Sequence, residues 1–223
     1  MLVQVDASLH DWLADRGPYL TLVAAIDDAT SEVPAAVFRA AEDAHGYFLL
    51  VQRLVAARGC PVALYHDRHG IFQPPPKQTW TVAEQLAGRQ EPTQFGRLLA
   101  ELGIASIAAQ SPQAKGRVER LFGTRQDRLV VELRLAGAAT PAEANTALDT
   151  FLARFNERFR VPAAQAGSAY RPLATSPPPE TLFCCKCQRV VAADNTVQFA
   201  GQRLQLLPSA ARQSWARATV EIH

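Results

Sequence analysis

The apolar residues change period several times along the chain, and each change marks an element. Val3 to Ala7, Tyr19 to Ile26 and Val33 to Arg39 read as strands, with Asp27-Asp-Ala-Thr30 as a turn, and predict an antiparallel meander. Ala44 to Arg58 carries Phe48, Val51, Leu54 and Val55 at helical spacing, and Gly59 ends it. Pro61-Val-Ala-Leu-Tyr-His-Asp67 is again a strand. After the stiff Pro74-Pro-Pro76 loop, Thr81-Val-Ala-Glu84 is a capping box for a short helix that Gly88 stops. Thr93 caps a helix containing Phe95, Leu98, Leu99 and Leu102, and Ile104 to Ala108 makes a further strand.

Ser111 and Pro112 then open a helix whose buried face is Val118, Leu121, Phe122, Leu129 and Leu133. Thr140-Pro-Ala-Glu143 opens another, with Leu148, Phe151, Leu152, Phe155 and Phe159 on its apolar stripe. Residues 161–179 are rich in Pro, Ala and Ser and read as a linker. Beyond them Arg189 to Val191, Val197 to Phe199, Arg203 to Leu207 and Ala218 to Ile222 are short strand-like runs punctuated by Asp194-Asn195 and Ala200-Gly201.

Two of these strands end in a carboxylate, Asp6 and Asp67, and the helix opened by Ser111 carries a third, Glu119. Two strand-end carboxylates and one helix carboxylate are the ingredients of a two-metal phosphoryl-transfer site. Asp27 and Asp28 are rival ligands, but Asp is a favoured turn residue and the turn reading is preferred for them. His66 and His69 flank Asp67, either as contacts to substrate or a neighbouring carboxylate, or as spectators. Cys184-Cys-Lys-Cys187 has one C-x-x-C spacing without the second pair of ligands that zinc sites need. Trp12, Trp80 and Trp215 show no spacing that suggests a base-stacking platform.

Three stretches in order, Gln4-Val-Asp6, Asp67-Arg-His-Gly-Ile-Phe72 and Ser111-Pro-Gln-Ala-Lys-Gly-Arg-Val-Glu119, resemble the DDE transposase and retroviral-integrase superfamily. The resemblance is to the integrase core of bacterial insertion-sequence transposases, the ISNCY group among the candidates. It covers Met1 to about Phe159 and, more loosely, the rest. It implies an α/β fold: a ribonuclease-H-like mixed sheet flanked by helices in residues 1–160, a linker over 161–183, and a small β-barrel-like DNA-binding module over 184–223 that lacks a closing strand. Its implied activity is metal-dependent DNA nicking and strand transfer in transposition and integration. Asp6, Asp67 and Glu119 would be the catalytic and metal-holding residues for two Mg²⁺ or Mn²⁺ ions, with Asp6 bridging them.

A metal-dependent nuclease of the same fold and a catalytically silent DNA-binding remnant of a transposon are the alternatives. The expected partners are double-stranded DNA, both transposon ends and target, and further copies of the chain assembled on it. Two departures stand out. The 51 residues numbered 68 to 118 separate Asp67 from Glu119, more than in the retroviral members, and loop length is thermodynamically cheap. Asp6 also lies five positions after the first residue, so a helix-turn-helix region upstream is expected to be missing and the chain to be truncated.

Charge sharpens the picture. Residues 1–108 carry 8 Lys/Arg against 12 Asp/Glu and residues 109–223 carry 15 against 9, so the net +2 divides into −4 and +6. The basic half is where a phosphate backbone would lie. Gln113, Lys115, Arg117, Arg120 and Arg125 around the third carboxylate, and Lys186, Arg189 and Arg203 near the C-terminus, are the candidate DNA contacts. With 223 residues, 48% of them hydrophobic, the chain can bury one sizeable core and a small appendage. Its apolar runs fall short of the roughly 20 residues of a membrane span, no leader pattern opens it, and its four cysteines are expected as reduced thiols in the cytoplasm.

Overall fold

The computed structural model describes residues 1–74, 79–109, 127–175, 177–210 and 212–223. They form two compact units, Met1–Pro177 and Pro178–His223. The first is built on a five-stranded sheet in the order β3-β2-β1-β4-β5. Strands β1 (Leu2–His10), β2 (Leu20–Asp27) and β3 (Ala35–Arg39) make the antiparallel meander. Strand β4 (Ala63–His66) runs parallel to β1, and β5 (Ala105–Ala108) parallel to β4. All eight residues of β2 are buried, as expected for an interior strand covered on both faces.

Helix α1 (Ala44–Arg58) supplies the crossover that parallel pairing of β1 and β4 requires. Asp43 caps it by accepting from the Gly46 amide at 2.7 Å. Gly59 ends it at φ 95°, where a Cβ would lie 2.4 Å from the Arg171 carbonyl oxygen, so glycine is needed both for conformation and for space. Both expected capping boxes form: Thr81 with Glu84 opens α2 (Val82–Ala87), and Thr140 with Glu143 opens α5 (Pro141–Phe159). Thr93 caps α3 (Gln94–Glu101). A further helix, α4, is described over 127–135.

The sheet separates two apolar layers. On one face Leu20, Leu22, Ala24, Ala36 and Phe38 pack with Trp12, with Leu129 and Leu133 of α4, and with Leu148, Phe151 and Phe155 of α5. On the other, Tyr47 and Phe48 of α1 meet Phe95 of α3, and Phe72 lies against Tyr47 and Phe95 with centroids 4.7 and 5.4 Å away. Trp12 is fully buried in the first layer, which makes it core.

The meander's outer strand does not present a bare edge. The Asn145 amide of α5 accepts from the Phe38 N–H at 2.9 Å and donates to the Phe38 carbonyl at 3.1 Å. Asn156, three helical turns on, makes the same pair of bonds with Val33, each 2.8 Å long. The Arg53 guanidinium donates to the Ala36 carbonyl. Side chains thus stand in for a neighbouring strand, which is one way of closing an edge to further pairing.

Residues 161–172 return to this unit. The Val161 amide donates to the Thr30 carbonyl, Cys60 and Arg171 form a backbone bridge, and the Arg171 guanidinium donates to the carbonyls of Leu102 and Gly103. The Tyr170 hydroxyl donates to Asp27, whose other carboxylate oxygen accepts from the Ala29 and Thr30 amides. Asp27 is therefore a buried turn residue, as its sequence context suggested.

In the second unit, α6 (Pro179–Leu182) precedes two antiparallel ladders, β6 (Cys187–Val190) with β9 (Thr219–Ile222) and β7 (Thr196–Phe199) with β8 (Gln202–Gln205). Leu182, Val191 and Val197 are its buried apolar residues. Among the described residues no helix is long and apolar enough to cross a membrane.

Asn156→Ala would leave the Val33 N–H and carbonyl without these partners at a residue that is 2% exposed. We expect a loss of about 1–3 kcal/mol of unfolding free energy, measured by urea denaturation, with Asn145→Ala behaving alike.

Candidate active site

The site starts from the register of β1 against β4. Leu2 pairs with Ala63, Val3 with Leu64 and Gln4 with Tyr65, an offset of 61 residues. Asp6 and Asp67 differ by the same 61, so the register carried forward sets them level, Asp67 one position beyond the end of β4. Adjacent strands run about 4.8 Å apart. Residues two apart on a strand share a face, so Asp6 lies on the Gln4 face and Val3 and Val5 on the other. Across the sheet Asp6 pairs with Ala24, and Ala24 with Ala36. Those alanines belong to the layer that Leu129 and Leu133 of α4 cover. Asp6 is thus on the α4 face, and both carboxylates are half-buried.

A second observation brings the two together. The Tyr47 phenol, 1% exposed, donates to Glu42 at 2.7 Å. Burial pushes its pKa up, the charge and hydrogen bond of Glu42 add to this, and the charges of Asp67 and Asp6 act in the same direction. One hydroxyl therefore lies within electrostatic reach of both aspartates. Glu42 is an exposed carboxylate in this neighbourhood that sequence reading did not single out.

The turn after β4 is held from several sides. The Asp67 carboxylate accepts from the His69 amide at 3.0 Å, and the Ile71 amide donates to His69 Nδ1. His66 is fully buried, so it does not meet substrate. Its Nδ1 is hydrogen-bonded to the Asp67 backbone carbonyl, and its Nε2 to the Ser106 hydroxyl at 2.7 Å. Its ring stacks on Phe72 at 4.1 Å. His69 is exposed on the loop.

Glu119 lies outside the described residues, as do Gln113, Lys115, Arg117, Arg120 and Arg125. Among the described residues no three His, Cys, Asp or Glu side chains come together as a metal site. That applies to Cys184 and Cys187, neither of which forms a disulfide. In the second unit Lys186 is half-buried just before β6, while Arg189 on β6 and Arg203 on β8 are exposed in separate ladders. Arg212 stands over the Trp215 ring at 4.7 Å, and Asn195, at φ 61°, accepts from the Trp215 amide and the Ser214 hydroxyl. Nothing in the spacing of tryptophans revealed that cation–π pair, because it depends on a turn ordered by Asn195.

No family model matches the chain. Over all 223 residues it is 38% identical to "Putative transposase y4bF" of Sinorhizobium fredii, covering 47% of that protein. Over 159 residues, 71% of the chain, it is 36% identical to the transposase for insertion sequence IS1202 of Streptococcus pneumoniae, covering 32% of it. The chain thus spans about half the length of the first relative and a third of the second. In structure it is similar to a chain of the simian T-cell lymphotropic virus intasome, solved in complex with PP2A regulatory subunit B56 gamma. That match has a TM-score of 0.54 at 16% identity and covers 79% of this chain and 58% of the other. The likeness identifies the ribonuclease-H-like fold that the motifs implied.

The Tyr47 environment generates a pH dependence. Its folded pKa lies above the unfolded value of about 10, so the stability it contributes is complete below pH 10 and is lost as pH rises beyond. Denaturation across that range should show a shallower alkaline decline for Tyr47→Phe than for the parent protein.

Proposed function

We propose that this relative of bacterial transposases, with its integrase-type core, uses Asp6, Asp67 and Glu119 for metal-dependent DNA nicking and strand transfer. The observation that carries the reading is the shared 61-residue offset, which, carried forward from the Gln4–Tyr65 pair, sets Asp6 of β1 level with Asp67 just beyond β4. Helix α4 lies on the Asp6 face, and Glu119 precedes residue 127 by eight positions in the sequence, which supports it as the third ligand.

Carboxylates are the hard oxygen donors that Mg²⁺ or Mn²⁺ prefers, and half-burial leaves them open to an ion and to substrate. Asp6, Asp67 and Glu119 would hold the ions. Two bound ions supply stabilisation of the negative charge that develops on the entering and leaving oxygens of the phosphodiester. Gln113, Lys115, Arg117, Arg120 and Arg125 would hold phosphates near the site, and Lys186, Arg189 and Arg203 would hold a more distant stretch. Such contacts position DNA without reading its sequence. Duplex DNA is the proposed partner, as transposon end and as target, with several copies of the chain assembled on it. A cytoplasmic location goes with this reading.

The test is a plasmid nicking and joining assay with Mg²⁺ or Mn²⁺ on the parent chain and Glu119→Gln. The variant should lose roughly a hundredfold or more in rate, about 2.7 kcal/mol of transition-state stabilisation, and keep its DNA affinity. Equal activity in the two proteins would remove the site. Cutting without joining would favour a nuclease, and DNA binding without chemistry a silent remnant. The phosphate contacts are tested separately by titrating DNA affinity against salt. Arg117→Ala should reduce the slope of log affinity on log salt by roughly 0.9, and an unchanged slope takes Arg117 out of the interface.

A further inference from the structure

We infer that His66 is a positioning residue for the candidate site, holding Asp67 in place through the Asp67 backbone carbonyl and through β5. The inference rests on the reading of Asp67 as a metal ligand. Strand β4 ends at His66, so the regular ladder stops one residue before the carboxylate that must be placed accurately. The imidazole continues the attachment where the ladder stops. A carbonyl can only accept, so the ring nitrogen facing Asp67 carries the proton. In the neutral ring the other nitrogen is then left to accept from the Ser106 hydroxyl. Ser106 lies on β5, and the His66 carbonyl accepts from the Ala109 amide at 2.7 Å just beyond that strand. One buried residue therefore ties the strand end that carries Asp67 to the strand that leads toward Glu119.

The ring itself has little freedom. It is fully buried and stacks on Phe72 at 4.1 Å with 19° between the planes. Phe72 in turn packs edge-on to Tyr47, whose hydroxyl is bonded to Glu42. The sequence Asp67-Arg-His-Gly-Ile-Phe72 thus folds back so that its last residue clamps the imidazole that holds its first. Partners behind a metal ligand commonly change metal affinity by about 10- to 100-fold when they are removed.

Substitutions separate the two ring nitrogens. The side-chain amide of Asn can reach where Nδ1 lies, and that of Gln where Nε2 lies. His66→Asn should keep the bond to Asp67 and His66→Gln should lose it, although both lose the aromatic ring. Two measurements on the 223-residue chain decide the matter: Mn²⁺ binding followed by electron paramagnetic resonance, with Asp67→Asn as control, and metal-free hydrogen exchange at the Asp67 to His69 amides.

We expect His66→Asn to stay within about threefold of the parent in Mn²⁺ affinity with similar amide protection. His66→Gln should bind about 10- to 100-fold more weakly and exchange faster. Equal behaviour of the two variants in both measurements would overturn the inference, since a purely structural ring would not distinguish its nitrogens. If the parent binds no Mn²⁺, or Asp67→Asn binds as the parent does, the metal-site reading fails. The exchange comparison still decides the link between His66 and Asp67. Should His66→Gln not fold, Ser106→Ala keeps the ring and releases its far nitrogen. Faster exchange at Asp67 to His69 then supports the inference, and parental exchange refutes it.

Discussion

The parallel pairing of β1 with β4 is the constraint on which the rest depends. Parallel neighbours cannot be joined by a tight turn, so the chain must complete β2, β3 and α1 before it returns beside β1. Only three residue pairs form the ladder, yet they fix which residue of one strand end stands level with which of the other. A slip of one residue would turn Asp67 to the opposite face from Asp6. The register is specified from outside the ladder, because Val3 and Leu64 are fully buried on one face and any shift would expose one of them.

The edges of the sheet are managed differently. At β3 the amides of Asn145 and Asn156 replace a strand, and they also fix how far along the sheet α5 sits, since both must meet their backbone partners at once. Placing α5 places the layer that Leu129 and Leu133 of α4 share with it. At β5 the side chain of Ser106 is engaged with His66, so the opposite edge of the sheet is coupled to the turn that carries Asp67. The structural role of α5 thus extends beyond the apolar stripe by which it was recognised.

Much of this was legible because it is local. The capping boxes at Thr81 and Thr140, the stop at Gly59 and the carboxylate just past β4 all depend on residues within a few positions of one another. What escaped depends on contacts across the chain. The Asn145 and Asn156 clamps pair residues 107 and 123 positions apart, and nothing in an isolated asparagine on a helix announces them. His66 read as a contact to substrate or a neighbouring carboxylate, or as a spectator, because its partners Ser106 and Phe72 are brought to it only by β5 and by the fold-back of residues 67–72. Residues 161–172 read as a linker because composition says nothing of the Arg171 guanidinium seated on the Leu102 and Gly103 carbonyls. Asp6 read as the end of its strand, whereas β1 runs on to His10; Asp67 does lie one position beyond β4. Glu119 and its basic neighbours remain a reading of the sequence.

The arrangement also explains why so much uncharged packing surrounds the site. Two carboxylates on strands about 4.8 Å apart repel by something on the order of 1–3 kcal/mol, depending on how well water screens them. The chain must hold that repulsion before any cation arrives, and its cysteines form no disulfide. Packing contributes to the restraint: the β1–β4 ladder, the stacked His66 and Phe72, and the edge-on Tyr47. Carboxylates set level on one face of a sheet conflict with local electrostatic preference, and such conflicts are characteristic of places that bind something.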